Sequence, residues 1–136
     1  MPEVLVDSNV LLDVVTEDPR WFGWSSDALS RCAEEATLVV NPIIFAEVSI
    51  GFDRIEDLDG LLADVVERAA LPWEAAFLAG KAFVRYRKRG GRRNSTLPDF
   101  YIGAHAAVAR MALLTRDAAR YRTYFPDVRV IAPESA

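Results

Sequence analysis

The sequence predicts an α/β protein: a three-layer α/β/α domain spanning residues 1–136, with a mostly parallel central sheet of about five strands. Three observations predict it. Short β-prone apolar runs, Val4-Leu5-Val6, Thr37–Val40 and Ala112–Leu114, each stop at a polar residue and lead into a helix-period pattern. Those runs are continuously apolar rather than alternating, as strands buried on both faces are. The chain has 136 residues, 51% of them apolar and 26% charged, enough for one domain with a sizeable core and too few for two.

The elements follow in order. Val4–Val6 is a strand ending at Asp7, and Val10 to Val15 carry the first helix. Pro19 breaks the pattern, and Trp21, Phe22 and Trp24 lie in a loop, as a hydrophobic staple or as a partner-facing patch. Ser25 or Ser26 caps a helix reaching Ala36, and Thr37–Val40 is the second strand. Asn41 caps the next helix, with Pro42 in its first turn. Ile55 to Arg68 read as an amphipathic helix, and Ala69–Leu71 as a weak strand. Trp73, Phe77, Gly80 and Val84 share one face of a long helix that ends near Arg89, where Gly90-Gly91 breaks it. Thr96 to Asp99 open a helix to Arg110, strand Ala112–Leu114 follows, Ala118–Tyr124 is a short helix, and Val128–Ile131 is the last strand.

Composition narrows the function classes. A single cysteine, Cys32, excludes an internal disulfide, fits a reducing cytoplasm and, with His105 as its one soft companion, argues against a thiolate metal site. The amino-terminal residues lack the pattern of a signal peptide, and no apolar run has the length of a membrane span. A net charge of −4 argues against a globally basic nucleic-acid binder, so local patches carry that question.

The acids carry the chemistry. In an open parallel sheet, ligands sit beyond the carboxyl ends of the strands, which is where Asp7 and Asp117 fall. Glu47 lies in the second turn of its helix, too deep to cap it, with Ile43, Ile44, Ile50 and Gly51 as its helical neighbours. A carboxylate on an apolar face needs a partner. Asp99 stands three residues after Thr96, a capping-box spacing, and Asp7 and Asp117 also suit caps. Helix capping and ion binding therefore both remain open for these acids taken singly. Brought to one sheet edge, four carboxylates repel one another unless cations neutralise them. Hard oxygen ligands without His or Cys select Mg²⁺ or Mn²⁺. Two such ions clamp the attacking and leaving oxygens of a phosphodiester. Ser8, Asn9 and Thr115 are placed to orient a ligand or a water.

Val-Asp-Ser-Asn-Val-Leu-Leu-Asp at 6–13, Phe-Ala-Glu-Val at 45–48, Leu-Pro-Asp-Phe-Tyr-Ile-Gly-Ala at 97–104 and Leu-Leu-Thr-Arg-Asp-Ala-Ala-Arg-Tyr at 113–121 resemble the PIN-domain family, almost end to end. The short single-domain form is similar to the VapC toxins of bacterial toxin–antitoxin pairs. The resemblance implies an endoribonuclease whose acidic quartet, here Asp7, Glu47, Asp99 and Asp117, binds Mg²⁺ or Mn²⁺. It also implies a homodimer, a cognate antitoxin that fills the acidic groove, and promoter DNA bound only through that antitoxin. A PIN-like module that binds RNA or a partner without cutting is the alternative.

Arg85, Arg87, Lys88, Arg89, Arg92 and Arg93 cluster around Tyr86 and Gly90-Gly91. They are either a solvated helix end favoured by the dipole or a phosphate-tracking stretch, with Arg89, Arg92 and Arg93 as the RNA contacts. His105 reads as a surface or packing residue, and Tyr121, Tyr124 and Phe125 as core or interface. Two other folds fit worse. A haloacid-dehalogenase-type phosphatase needs a second Asp at the position of Asn9, and a receiver domain needs a lysine beyond Lys88.

Overall fold

β1 (Glu3–Val6) lies at the centre of a five-stranded sheet, because its three apolar residues are buried on both faces and pair on both sides. Its neighbours are β2 (Thr37–Val40), with Leu5 opposite Val39, and β4 (Ala112–Leu114), with Leu5 opposite Leu113. β3 (Glu67–Arg68) and β5 (Val130–Ile131) form the edges, giving the order β3-β2-β1-β4-β5 with every pair parallel. These strands belong to a computed structural model that describes residues 1–90 and 95–134. The expected α/β/α architecture is present: helices α1 (Ser8–Val15), α2 (Phe22–Glu35), α3 (Pro42–Ser49), α4 (Ile55–Leu62), α5 (Trp73–Lys88), α6 (Leu97–Ala109) and α7 (Ala118–Tyr124) flank the sheet. Among the described residues no helix is long and apolar enough to cross a membrane.

The strand order creates the site. From β1 the chain steps outward one way through β2 and β3, then returns to the other side of β1 with β4 and β5. The switch point is therefore the gap between the carboxyl ends of β1 and β4, where such sheets open a crevice. The Asp7 N–H donates to the Leu114 carbonyl at 2.9 Å and closes the base of that gap.

Four elements differ from the sequence expectation. The helix expected to start at Ser25 or Ser26 begins at Phe22, with Phe22 and Trp24 inside it. Ser25 is not a cap, because its hydroxyl is buried and donates to Asp13 Oδ2 at 2.6 Å. The helix expected over 55–68 stops at Leu62, and the third strand is Glu67–Arg68 rather than Ala69–Leu71. That strand is an exposed edge held by backbone pairing to β2, so its side chains carry no apolar signal. The last strand is shorter than expected, Val130–Ile131.

The long α5 turns Ala75, Ala79, Ala82 and Tyr86 inward, and Phe83 meets Phe100 of α6. Trp73 and Phe77 are left 87% and 70% exposed. On α6, Gly103 leaves room for the Phe125 ring, which a Cβ there would overlap.

Candidate active site at the sheet switch point

Asp7 ends β1 and caps α1, so the strand-to-helix turn fixes its carboxylate at the switch point, 4% exposed. Neutral donors surround it. Oδ1 accepts from the Ser8 N–H at 2.8 Å; Oδ2 accepts from the Thr115 hydroxyl at 2.8 Å, the Tyr121 hydroxyl at 3.1 Å and the Asn9 amide at 3.4 Å. Burial lifts the Asp7 carboxyl above its ordinary pKa. The Thr115, Tyr121 and Ser8 hydrogen bonds oppose that shift, and the charge of Asp99 adds to it. The pKa of the Tyr121 hydroxyl is pushed well up, by burial first and by the Asp7 charge next, so it stays a donor.

Glu47 reaches the same place from α3. Its Oε1 accepts from the Ser8 hydroxyl at 2.9 Å, so Ser8 joins the two acids through its N–H and its side chain. Burial raises the Glu47 pKa; the charges of Asp7 and Asp99 raise it further, against the Ser8 hydrogen bond and Arg120. The face that carries Glu47 is only partly buried: Ile44 is inaccessible while Ile50 is 87% exposed.

Asp99 and Asp117 meet differently. Thr96 and Asp99 form the expected capping box, with the Thr96 N–H donating to Asp99 Oδ2 at 2.7 Å. Asp99 Oδ1 lies 3.4 Å from Arg120 Nη1, and Asp117 Oδ2 lies 3.1 Å from Arg120 Nη2. Asp117 starts α7 without capping it through its side chain. Arg120 Nε donates to the Ser95 hydroxyl at 2.9 Å, and its guanidinium lies over the Tyr121 ring. One arginine therefore stands between the two acids nearest the helix ends of α6 and α7.

Sequence reasoning missed the supporting shell. Arg120 and Tyr121 follow Asp117 at helical spacing on α7, which is the one signal that could have found them; Tyr121 had read as core or interface. Arg116 pairs with buried Asp13 through Nε at 2.6 Å and Nη2 at 2.9 Å. Its backbone N–H donates to Asn9 Oδ1 at 3.2 Å, and the Asn9 amide donates to the Thr115 hydroxyl at 3.3 Å. Trp21 lies 5.1 Å from the Arg116 guanidinium and meets Trp24 edge-on, which gives those two aromatics a place over the pair. His105 is buried: Asn41 Oδ1 accepts from the Ile44 N–H, so its Nδ2 donates to His105 Nδ1 at 3.0 Å. That bond ties the helix of Glu47 to the helix of Asp99.

Oxygen donors of this kind suit a hard divalent cation, and the mutual repulsion of Asp7, Glu47 and Asp99 is the load such an ion relieves. As placed, no three Asp, Glu, His or Cys side chains among the described residues form a ready coordination shell. Of the basic stretch, Arg89 lies over the Tyr124 ring at 5.9 Å, while Arg92 and Arg93 fall outside the described residues. Ser95, just beyond that stretch, contacts Arg120. A cavity of about 990 Å³ opens at the opposite edge of the sheet, lined by Glu3, Arg31, Arg110 and Arg129, away from these acids.

A family model described as PIN domain matches residues 4–126. No curated protein sequence matches the chain. Among solved structures, the chain is similar to VapBC2 from Rickettsia felis bound to a promoter DNA fragment, with a TM-score of 0.75 and 17% identity over 97% of this chain and 99% of that one. It is also similar to a toxin–antitoxin complex from Klebsiella pneumoniae, with a TM-score of 0.72 and 20% identity over 98% and 99%. FitAcB from Neisseria gonorrhoeae matches at a TM-score of 0.65 and 19% identity over 93% and 95%. At these identities the likeness shows the shared fold.

Proposed function

The chain belongs to the PIN-domain family, and from that premise we propose that it is a divalent-metal-dependent endoribonuclease, the toxin of a toxin–antitoxin pair working in the cytoplasm, with residues 1–136 forming one domain. The observation that carries this reading is Asp7, a carboxylate buried at the switch point and met by neutral donors, with Glu47 joined to it through Ser8. Burying such charge has a reason if a cation comes to it.

Asp7, Glu47 and Asp99 hold Mg²⁺ or Mn²⁺, and Asp117 supports that ion or a second, weaker site. When bound, the ion supplies a Lewis acid for the phosphodiester and water of lowered pKa. Ser8, Thr115 and Tyr121 fix the carboxylate oxygens, and Asn9 ties the Thr115 loop to α1. Arg89, Arg92 and Arg93 track RNA phosphates towards the acids. Of the proteins of similar structure, the one from Klebsiella pneumoniae is a toxin–antitoxin complex and VapBC2 is bound to promoter DNA, which supports a cognate antitoxin protein as partner, with promoter DNA reached through it. A homodimer has apolar material in the exposed Trp73, Phe77 and Val84 of α5.

A second reading, a PIN-like module that binds RNA or a partner without cutting, is favoured by one observation: Arg120 already stands between Asp99 and Asp117. The discriminating experiment incubates purified, antitoxin-free protein with a mixed cellular RNA pool. It is run with Mg²⁺ or Mn²⁺, with a chelator, and with Asp99→Asn. Cleavage that needs both metal and Asp99 is expected. A folded protein that cuts nothing under any condition favours the binding module, and cleavage surviving chelator and substitution removes these acids from the chemistry.

A further inference from the structure

We propose that Arg120 is a built-in cation that takes the place of a second divalent ion, so that the site holds one metal per chain. The inference rests on the metal reading above and concerns the half of the site that reading left open. The Arg120 side chain is 16% exposed, and its nitrogens are divided among different elements. Nη1 faces Asp99 on α6, Nη2 faces Asp117 at the start of α7, and Nε donates to the buried Ser95 hydroxyl. The guanidinium also lies over the Tyr121 ring, whose hydroxyl is bound to Asp7. The space between the Asp99 and Asp117 carboxylates is therefore filled by a positive group anchored on two further sides.

A cation there has two consequences. It neutralises part of the charge of Asp99 and Asp117, which removes the attraction a second ion needs. It also repels an ion brought between Asp99 and Asp117, because an arginine keeps its charge at every working pH. Asp7 and Glu47 are held by Ser8, Thr115 and Tyr121, and among the described residues the group that bridges them is Ser8, with neutral donors. The first ion goes there, sharing Asp99, and Asp117 takes the first of the two roles left open for it: it supports that ion through Arg120, without holding a second one. Arg120 is in this sense a positioning residue for the ion and not a ligand.

The test counts Mn²⁺ bound per chain by equilibrium dialysis and by the loss of the free-ion electron paramagnetic resonance signal, in the absence of RNA. The parent protein is expected to bind about one ion, and Arg120→Ala and Arg120→Gln about two. Arg120→Lys keeps a cation but loses the fork, and is expected to bind about one. Circular dichroism establishes that each variant is folded. A parent protein that binds two ions overturns the proposal whatever the variants do. Folded Ala and Gln variants that still bind one ion overturn it too, while leaving the metal reading intact. No Mn²⁺ on any of them would instead remove the metal reading on which the proposal stands.

Discussion

Arg116 and Arg120 lie four residues apart on the chain and both pair with aspartates, yet the two constellations are built for different ends. Arg116 grips one carboxylate, Asp13, through two nitrogens at 2.6 and 2.9 Å, with Ser25 on the same acid and Trp21 over the guanidinium. Arg120 reaches two carboxylates on separate elements, at 3.4 and 3.1 Å. The first is a closed fork whose acid is 3% exposed, with Ser25 as its further donor. The second is an open clamp whose outer acid, Asp117, is 59% exposed. Geometry rather than residue type separates a pair that holds the fold from one that stands in the proposed metal site.

Breaking the closed fork is expected to have the largest effect. Asp13→Ala leaves the Arg116 guanidinium and the Ser25 hydroxyl without their shared acceptor. Removing one partner of a buried pair costs about 3–5 kcal/mol, and the partial exposure of Arg116 puts this case at the lower end. Thermal unfolding should move down by roughly 10 °C. The Arg116 N–H also holds Asn9, and Asn9 holds Thr115, so cleavage by the folded fraction should fall about 10–100-fold. A variant of parental melting temperature would mean that the fork is decorative.

How much of this was legible in the sequence follows the same division. The parallel sheet, its buried first strand and the acids at strand ends could be read because burial leaves continuous apolar runs, and because Asp7 and Asp117 follow where a strand stops; the strand order that puts β1 at the centre could not. β3 could not be read, since an edge strand such as Glu67–Arg68 is specified by its neighbour's backbone. The start of α2 was misread because Ser25 has the composition of a cap and the contacts of a core residue. Asp13 and Arg116 were invisible for a related reason: their partners are 103 residues apart, and no local pattern announces a long-range ion pair. Tyr121 looked like core because it is core; only its hydroxyl, on Asp7, belongs to the site.

That hydroxyl gives the intermediate prediction. Tyr121→Phe keeps the packed ring under Arg120 and deletes one donor to Asp7. The loss should cost about 1–2 kcal/mol of stability. The more telling effect is on titration. The Tyr121 hydrogen bond lowers the Asp7 pKa, so its removal raises that pKa further. Metal binding needs the ionised carboxylate, and the pH at which Mn²⁺ affinity reaches half its maximum should shift upward in the variant. A purely structural role for the hydroxyl would lower stability and leave that midpoint where it was.

Glu47→Gln gives the smallest effect and the one with a sign that a destabilising substitution would not produce. Burial, Asp7 and Asp99 raise the Glu47 pKa in the folded protein. A carboxyl whose folded pKa exceeds its unfolded value, about 4.3 for glutamate, favours the fold fully below that value. It loses the contribution as pH rises through the folded pKa. At pH 7 the ionised Glu47 of the metal-free protein is therefore a small burden. Glutamine keeps a carbonyl oxygen for the Ser8 hydroxyl and carries no charge. Metal-free Glu47→Gln should melt about one or two degrees above the parent at pH 7 and level with it near pH 4. Adding Mg²⁺ should reverse the order, because the parent gains the larger stabilisation from binding. If the parent melts higher at pH 7 without metal, the charge of Glu47 is already compensated within the fold, and the contrast between a neutral-donor half and an arginine-held half of the site loses its basis.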